Sequence, residues 1–149
     1  MRLVVQRVRS AAVRVGGETV GRIGAGLLVF AGVEKGDGPA AAEAAAAKLA
    51  TLRVFEDGAG KMNLDAAAAG SAFLVVSQFT LAGDPLARGR RPSFDAAAPP
   101  AEAEPLVERL VAALRGRGCA VETGRFRAPM EVESVNDGPV TFVLDVRPA

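Results

Sequence analysis

The chain of 149 residues contains no histidine and a single cysteine, Cys119. Without histidine there is no Ser-His-Asp or Cys-His catalytic arrangement, no metal site with a histidine ligand and no imidazole base near neutral pH. A lone cysteine forms neither an internal disulfide nor a thiolate cluster, which favours the reducing environment of the cytoplasm. An enzyme with this sequence therefore depends on other groups for its chemistry.

Long apolar runs and an excess of one charge are also missing. The longest apolar stretch, residues 23–33, is interrupted by glycines and is shorter than the roughly 18–20 residues of a membrane span. The apolar run between the N-terminal arginines is too short for a signal peptide. With 18 basic and 17 acidic residues the formal net charge is +1, which argues against a general polyanion-coating protein but leaves room for a local basic patch. We expect a soluble, cytoplasmic protein without a membrane partner.

The sequence predicts one domain over residues 1–149, because it shows no linker and no internal repeat. Periodicity and glycine or proline breaks predict two main helices, from residue 39 and over residues 102–115, and a long loop over residues 82–100. They also predict strands over residues 1–15, 19–23, 26–33, 72–79, 119–123, 129–135 and 139–146. Strands that do not alternate one for one with helices indicate an α+β fold with a mostly antiparallel, barrel-like sheet.

The segment Ser77-Gln78-Phe79-Thr80 stands where a predicted buried strand runs out into a loop. Its hydroxyls and amide have two interpretations. They satisfy hydrogen bonds at the end of the strand, which is their ordinary structural use. Alternatively, Gln78 and main-chain amides position a polar substrate, with the role of the Thr80 hydroxyl left open.

Basic residues and phenylalanine occur together in two segments. One is the run Arg88-Gly89-Arg90-Arg91-Pro92-Ser93-Phe94, and in the other Arg125 and Arg127 flank Phe126. Arginine side chains bind phosphate oxygens in pairs, and aromatic rings stack on unpaired bases. Both segments are therefore candidates for nucleic-acid contact, although a solvated basic loop explains the first equally well.

The segment Asn136-Asp137-Gly138-Pro139 has the composition of a turn between two strands. It also has a second interpretation. Gly138 accepts backbone angles that other residues avoid, and Pro139 is a residue before which a cis peptide bond costs little. A dipeptide of this kind exposes two carbonyl oxygens with no side chain in the way.

Taken together and in this order, the segments resemble the D-aminoacyl-tRNA deacylase family over essentially the whole chain. The resemblance is carried by Gln6-Arg7-Val8, residues 24–29, residues 60–64, residues 76–81, Arg91-Pro92-Ser93-Phe94, residues 123–126 and residues 136–141. It implies a homodimer, working without cofactor or metal, that acts on aminoacyl-tRNA. The implied reaction is hydrolysis of the ester between a D-amino acid and the terminal adenosine.

The resemblance also implies roles for individual residues. Gly138-Pro139 would be cis and inserted into the active site of the opposite subunit, with Arg7 holding it in place. The catalytic pocket would be lined by Ser77, Gln78, Phe79 and Thr80. Phe126 and Met130 would enclose the adenine. From the charge of the basic run, and not from the resemblance, we expect Arg88, Arg90 and Arg91 to contact the tRNA.

The implied mechanism suits a sequence without histidine. Positioning, polarisation of the ester carbonyl by main-chain donors and assistance from the ribose 2′-hydroxyl replace a strong base, and Thr80 as nucleophile is the alternative. An L side chain would collide with Gly138-Pro139, whereas D side chains and glycine, including glycine mischarged on tRNA(Ala), would be accepted. Two other readings stay open. One is a relative with a trans Gly-Pro that acts on L-alanyl-tRNA, and the other is a non-catalytic RNA-binding module.

Overall fold

The computed structural model describes residues 1–147. Within this range the chain forms eight strands and three α-helices. In chain order these are β1 (Arg2–Val15), β2 (Glu18–Ile23), β3 (Gly26–Gly32), α1 (Pro39–Thr51), β4 (Phe55–Glu56), β5 (Met62–Leu64), α2 (Ala66–Ala69), β6 (Ala72–Ser77), α3 (Pro100–Gly116), β7 (Val121–Thr123) and β8 (Glu131–Asp145). None of the helices described here is long and apolar enough to cross a membrane.

The main sheet has the strand order β2-β1-β3-β6-β7, and β8 pairs with the other edge of β1. Strand β1 is antiparallel to β2, β3 and β8, whereas β3, β6 and β7 are mutually parallel. The parallel pairs arise because α1 and α3 carry the chain back across the sheet between those strands. Strand β2 approaches β7 so closely that any side chain at Gly21 would collide with the carbonyl of Thr123. The predicted α+β class and barrel-like sheet are confirmed, and the sheet contains both antiparallel and parallel strand pairs.

Both faces of strand β6 are buried, as its apolar sequence predicts. Phe73 and Val75 lie in a cluster with α1 and α3, while Leu74 and Val76 lie in a second cluster on the opposite face. Helix α1 contributes its alanine face and Leu49, and α3 contributes an apolar stripe of Leu106, Leu110, Val111 and Leu114. Because β6 is held from both sides, its C-terminal end is a rigid platform for the residues that follow it.

The C-terminal strands differ from the prediction. Residues 129–135 and 139–146 were expected as two strands with a turn at residues 136–139, but β8 runs through as one strand of 15 residues. Its pairing with β1 is Val8 with Asn136 and then Gln6 with Thr141. The intervening residues therefore leave the ladder as a bulge, and the chain does not reverse. Turn composition does not distinguish a reversal from a bulge of this kind.

No strand was predicted between residues 33 and 72, and the structure shows the β4–β5 hairpin there. The backbone N–H groups of Lys61 and Ala59 donate to the carboxylate of Asp57, which closes the turn and lowers the pKa of that carboxyl. Arg53 Nε donates to the carbonyl oxygen of Asn63 at 2.8 Å and fastens the second strand. Strands this short carry no visible alternation, so their pattern was not readable in the sequence.

Candidate active site

The residues after β6 are fixed at the end of the sheet. Strand β6 ends at Ser77, two residues before the predicted end, because residues Phe79–Ala82 form a 3₁₀ turn. A Cβ atom on Gly32 of β3 would lie 2.8 Å from Leu81 Cβ and 3.0 Å from the Gln78 carbonyl oxygen. Glycine at position 32 is therefore required for the turn to pack against the sheet. The backbone N–H of Gln78 donates to the carbonyl of Ala31 at 2.8 Å.

A cavity of about 700 Å³ opens beside this turn, and it is called the terminal cavity below. Of the predicted site residues it is lined by Ser77, Gln78, Phe79, Phe126 and Met130. Thr80 lies next to it, because Gln78 Nε2 donates to Thr80 Oγ1 at 2.5 Å. Among the described lining residues the one ionisable side chain is Arg127. The cavity therefore offers apolar surface with a few neutral polar groups and one guanidinium.

The segment between β7 and β8 brings Phe126 and Met130 to the cavity. Arg127 has a φ of 62°, a left-handed conformation that non-glycine residues rarely adopt. The N–H of Ala128 donates to the carbonyl of Arg125 at 3.3 Å, which closes the turn. A Cβ on Gly124 would lie 2.7 Å from Met130 Sδ, so glycine at position 124 allows the thioether to fold against the backbone.

Phe94 belongs to the cavity and was not among the predicted site residues. Its ring centroid lies 5.3 Å from that of Phe79 at an interplanar angle of 58°, an arrangement that stabilises aromatic pairs. Gly83 makes room for it, because a Cβ there would lie 2.8 Å from the ring. The available signal was an aromatic residue at the end of the basic run, a segment already named as a candidate for nucleic-acid contact.

The basic run forms a loop closed at its base. Asp84 and Ser93 exchange two backbone hydrogen bonds of 2.7 and 2.9 Å. Arg88, Arg90 and Arg91 of this loop are exposed, and within residues 1–147 none of them takes part in an ion pair. They do not line the terminal cavity. Phe94 connects this loop to the cavity through its contact with Phe79.

Gly138 and Pro139 form the tip of the bulge in β8. The peptide bond between them is cis, and Gly138 has a φ of 130°. Both residues are exposed to solvent. A Cβ on Gly138 would lie 2.7 Å from Val140 Cγ2 and 3.2 Å from Arg7 Nη2. The tip is therefore main chain with no side chain on its glycine.

Arg7 holds the bulge from beneath. Its side chain is buried, with 6% of the residue exposed. Arg7 Nε donates to the carbonyl of Asp137 at 3.2 Å, and Nη1 donates to the carbonyl of Val54 at 2.8 Å. The Asp137 carboxylate, 3.5 Å from Nε, and the Glu56 carboxylate, 3.9 Å from Nη2, balance the buried charge. The bulge is thus tied to the segment that leads into the β4–β5 hairpin.

Asn136 closes the base of the bulge and was not among the predicted site residues. The N–H of Val140 donates to Asn136 Oδ1 at 3.0 Å, across the four residues that leave the strand ladder. Asn136 Nδ2 donates to Thr141 Oγ1 at 3.1 Å, and Gln6 Nε2 donates to the same hydroxyl at 3.3 Å. Asn136 was part of the segment singled out in the sequence. Its hydrogen bond across the bulge could not be predicted, because a turn rather than a bulge in a continuous strand was expected there.

The two groups of predicted residues do not meet within the described part of one chain. The terminal cavity holds the residues after β6, while the bulge lies beside the β4–β5 hairpin. Apolar side chains are exposed around the bulge. Val135, Phe142 and Val143 of β8 are 50%, 40% and 64% exposed, and Met62 is 48% exposed.

Solved structures share this fold. One, described as c-Myc DNA Unwinding Element Binding Protein, has a TM-score of 0.91 and 38% sequence identity, with 99% of both chains covered. The other, described as a probable eukaryotic D-amino acid tRNA deacylase, has a TM-score of 0.81 and covers 97% of this chain and 98% of its own. At 18% identity the second likeness shows the fold alone.

Sequence comparison defines the class more narrowly. Proteins named D-aminoacyl-tRNA deacylase from Symbiobacterium thermophilum and Anaeromyxobacter dehalogenans are 59% and 58% identical to this chain. The matches cover 97% of this chain and 95% of the first relative, and 99% of this chain and 98% of the second. A family model described as D-Tyr-tRNA(Tyr) deacylase matches residues 4–145. The protein is a hydrolase, and the chain belongs to the D-Tyr-tRNA(Tyr) deacylase family.

Proposed function

We propose that the protein hydrolyses the ester bond between a D-amino acid and the 3′-terminal adenosine of tRNA, releasing the free amino acid and the tRNA. The observation that carries this proposal is the division of the site into a binding cavity and a projecting main-chain bulge. The names of the relatives at 58–59% identity support the same activity. The reaction needs both a place for the adenosine and a device that distinguishes the two hands of the amino acid.

The terminal cavity is suited to the adenosine. Its volume of about 700 Å³ lies within the range of small-molecule sites, which are mostly apolar with a few placed polar groups. Phe126 and Met130 supply surface for the base, since aromatic and thioether groups pack well against π-systems. The aminoacyl ester then lies toward Ser77, Gln78 and the turn that follows them.

A second copy of the chain completes the site. Strand β8 pairs with β1 alone among the described strands, which leaves its outer edge free over 15 residues. A long exposed edge with apolar side chains is a surface that proteins cover. In a symmetric homodimer the same patch is used twice, so each subunit would place its Gly138-Pro139 at the terminal cavity of the other.

The main chain of the bulge then selects the hand of the substrate. Two backbone carbonyl oxygens would anchor the α-amino group, and a D side chain would point out to solvent. An L side chain would be directed into the Gly138-Pro139 backbone, which Arg7 prevents from moving aside. Glycine has no side chain to reject, so glycyl-tRNA, including glycine mischarged on tRNA(Ala), is a further substrate.

The chemical step relies on positioning. Main-chain N–H donors near the 3₁₀ turn would polarise the ester carbonyl as negative charge develops on its oxygen. The neighbouring ribose 2′-hydroxyl assists the attack of water on that carbonyl. The Thr80 hydroxyl accepts a hydrogen bond from Gln78, and the described residues that line the cavity include no histidine, lysine or carboxylate that could take its proton. Thr80 is therefore assigned a positioning role, with the nucleophile role as the alternative.

The exposed arginines of the basic loop would hold the tRNA phosphates. Replacing Arg88, Arg90 and Arg91 together with alanine should raise KM for D-tyrosyl-tRNA and weaken its salt dependence, because charge-neutralising phosphate contacts release counterions. The same variant should hydrolyse D-tyrosyl-adenosine at the wild-type rate, since that substrate lacks the phosphates. An equal effect on both substrates would contradict this assignment.

The proposal is tested by following deacylation of D-tyrosyl-, L-tyrosyl-, glycyl- and L-alanyl-tRNA. We expect hydrolysis of the D-tyrosyl and glycyl esters, with the L-tyrosyl ester left intact. Binding of D-tyrosyl-tRNA without cleavage would instead identify an RNA-binding module. Rapid cleavage of L-alanyl-tRNA would identify an enzyme that accepts an L-amino acid.

A further inference from the structure

A second cavity, of about 600 Å³, lies between helix α3 and the C-terminal ends of strands β6 and β7. It is called the helix groove below. Ser77 and Phe126 line both the helix groove and the terminal cavity, so the two are neighbours with a common wall. No step of the proposed hydrolysis uses the helix groove. A ligand seated in the terminal cavity would nevertheless reach its entrance.

The helix groove combines an apolar floor with charges of both signs. Val75, Val107 and Val111 supply the apolar part. Glu104 and Glu108 are four residues apart on α3 and therefore share one face of that helix. The basic groups are Arg115 and Arg125. The helix groove thus offers hydrogen-bond acceptors and donors beside an apolar surface that a flat ring can cover.

Arg115 is fixed, whereas the acidic groups are free to bind. Arg115 Nη2 donates to the carbonyl of Val121 at 2.8 Å, which joins α3 to β7 beside the groove. Within residues 1–147, the carboxylates of Glu104 and Glu108 and the guanidinium of Arg125 take part in no ion pair. A phosphate in this groove would face two free carboxylates and one free guanidinium, so an uncharged base suits the groove better than the phosphate backbone of an RNA. An amino group of a nucleobase would be accepted.

We propose that the helix groove binds the nucleobase immediately 5′ to the terminal adenosine. The preferred base is one that carries an exocyclic amino donor next to ring acceptors, as cytosine does. Carboxylates accept hydrogen bonds from such amino groups, and arginine donates to ring nitrogen and carbonyl acceptors. This inference rests on the proposed function for the placement of the adenosine, and it adds a second nucleotide to the substrate.

The common wall supports this occupant. Adjacent nucleotides of a single strand are covalently joined, and proteins bind successive bases in neighbouring pockets. Phe126 lines both cavities, so one nucleotide on each side of it keeps the strand continuous. The competing occupant is the side chain of the D-amino acid, which would also be close to Ser77. The experiment must distinguish the two.

Binding of unacylated ligands tests the inference without hydrolysis. We expect cytidylyl-adenosine to bind on the order of tenfold more tightly than adenosine, the gain of a single stacked or hydrogen-bonded base. Uridylyl-adenosine, which has a carbonyl in place of the amino group, should lose most of this gain. The variant Glu108→Gln should reduce the difference between the cytidine and uridine ligands. Isothermal titration measures each affinity.

A filling variant gives the structural control. Ala112 lines the helix groove and its side chain is exposed, so Ala112→Phe fills the groove without entering the core. It should abolish the higher affinity for cytidylyl-adenosine relative to adenosine and leave the affinity for adenosine unchanged. The matched control Ala101→Phe adds the same ring to an exposed position of α3 that does not line the groove, and it should change neither affinity.

Hydrolysis supplies the second arm. Wild-type kcat/KM should be on the order of tenfold higher for D-tyrosyl-cytidylyl-adenosine than for D-tyrosyl-adenosine, and Ala112→Phe should make the two values equal.

Equal affinities of the wild type for adenosine and cytidylyl-adenosine would overturn the inference. If Ala112→Phe changed the ratio of kcat/KM between D-tyrosyl-adenosine and D-alanyl-adenosine, the groove would be assigned to the amino-acid side chain instead. Failure to hydrolyse D-tyrosyl-adenosine and D-tyrosyl-tRNA alike would reject the proposed function, while the binding ratios would still decide the inference.

Discussion

The terminal cavity and the bulge of β8 are built in opposite ways. The cavity is concave and mostly apolar, and it sits at the end of a strand that is buried on both faces. The bulge is convex and exposes main chain, and it is held by the buried guanidinium of Arg7. A concave surface can bind a nucleoside, whereas a rigid projection can exclude one hand of a substrate. The proposed function assigns binding and chiral selection to these separate regions of the chain, so changes in each should have different effects.

The largest effect is expected for Gly138→Val. A Cβ at this position would lie 2.7 Å from Val140 Cγ2 and 3.2 Å from Arg7 Nη2, at a φ of 130° that L-residues rarely adopt. The bulge would shift and its added side chain would obstruct the partner cavity. We expect kcat/KM for D-tyrosyl-tRNA to fall by about 10²-fold or more, the order expected for misplacement by about 1 Å.

A matched control separates obstruction from backbone strain. Gly36 also has a positive φ, 91°, but no atom lies within 4 Å of its Cβ position. Gly36→Val should retain wild-type activity with a comparable local strain. Normal hydrolysis of D-substrates by Gly138→Val would show that the bulge is not part of the site.

Removing the support of the bulge should have the next largest effect. Arg7→Ala leaves the buried carbonyl of Val54 without its donor and frees the carbonyl of Asp137. We expect a loss of about 2–4 kcal/mol in the free energy of unfolding, because charged buried hydrogen bonds are lost and an acceptor is orphaned. Urea denaturation measures this loss. Arg9→Ala is the control, since Arg9 is 76% exposed at its side chain and lies 3.6 Å from Asp137. An equal loss in the free energy of unfolding of Arg7→Ala and Arg9→Ala would show that the buried hydrogen bonds of Arg7 do not support the bulge.

Asn136→Ala should act on the bulge while sparing the cavity. It removes the acceptor for the N–H of Val140, at a cost of about 1 kcal/mol in the free energy of unfolding. We expect kcat to fall more than affinity for adenosine, because the cavity is untouched. Asn136→Asp keeps the acceptor oxygen and should recover most of kcat. A variant that lost adenosine affinity and kept kcat would reverse this assignment.

The smallest effect is expected at Thr80, on the cavity side. Thr80→Ala removes one hydrogen bond with Gln78, which amounts to about 0.5–1.5 kcal/mol. The corresponding decrease in kcat/KM is at most about tenfold, and single-turnover hydrolysis of D-tyrosyl-tRNA measures it. Loss of hydrolysis with substrate binding intact would restore Thr80 as the nucleophile.

The sequence predicted the elements whose patterns are local. Strand β6 has a continuous apolar centre, and α3 has an apolar stripe at helical spacing, so both were found with bounds close to those observed. The class of the fold follows from the order of such elements. The parallel pairing of β3, β6 and β7 and the near closure of the barrel depend on how helices cross the sheet, which a local pattern does not record.

The missed features depend on contacts between distant parts of the chain. The bulge was predicted as a turn because residues 136–139 have turn composition, and only pairing with β1 keeps β8 continuous. Asn136 and Phe94 acquire their roles from a bond across the bulge and from a stack on Phe79. Resemblance to a family named residues of the cavity and of the bulge and implied that they meet across two subunits, whereas the contacts that hold each region in place are visible only in the structure.

Complementation between two inactive variants tests the shared site most directly. Gly138→Val has an intact terminal cavity, and Ala128→Trp, which fills that cavity, has an intact bulge. Co-expressed in equal amounts, they should form mixed dimers in which one of the two sites has both an intact cavity and an intact bulge, restoring roughly a quarter of wild-type D-tyrosyl-tRNA hydrolysis. A co-expressed mixture that forms dimers and yet stays as inactive as the separate variants would contradict a site built from two subunits.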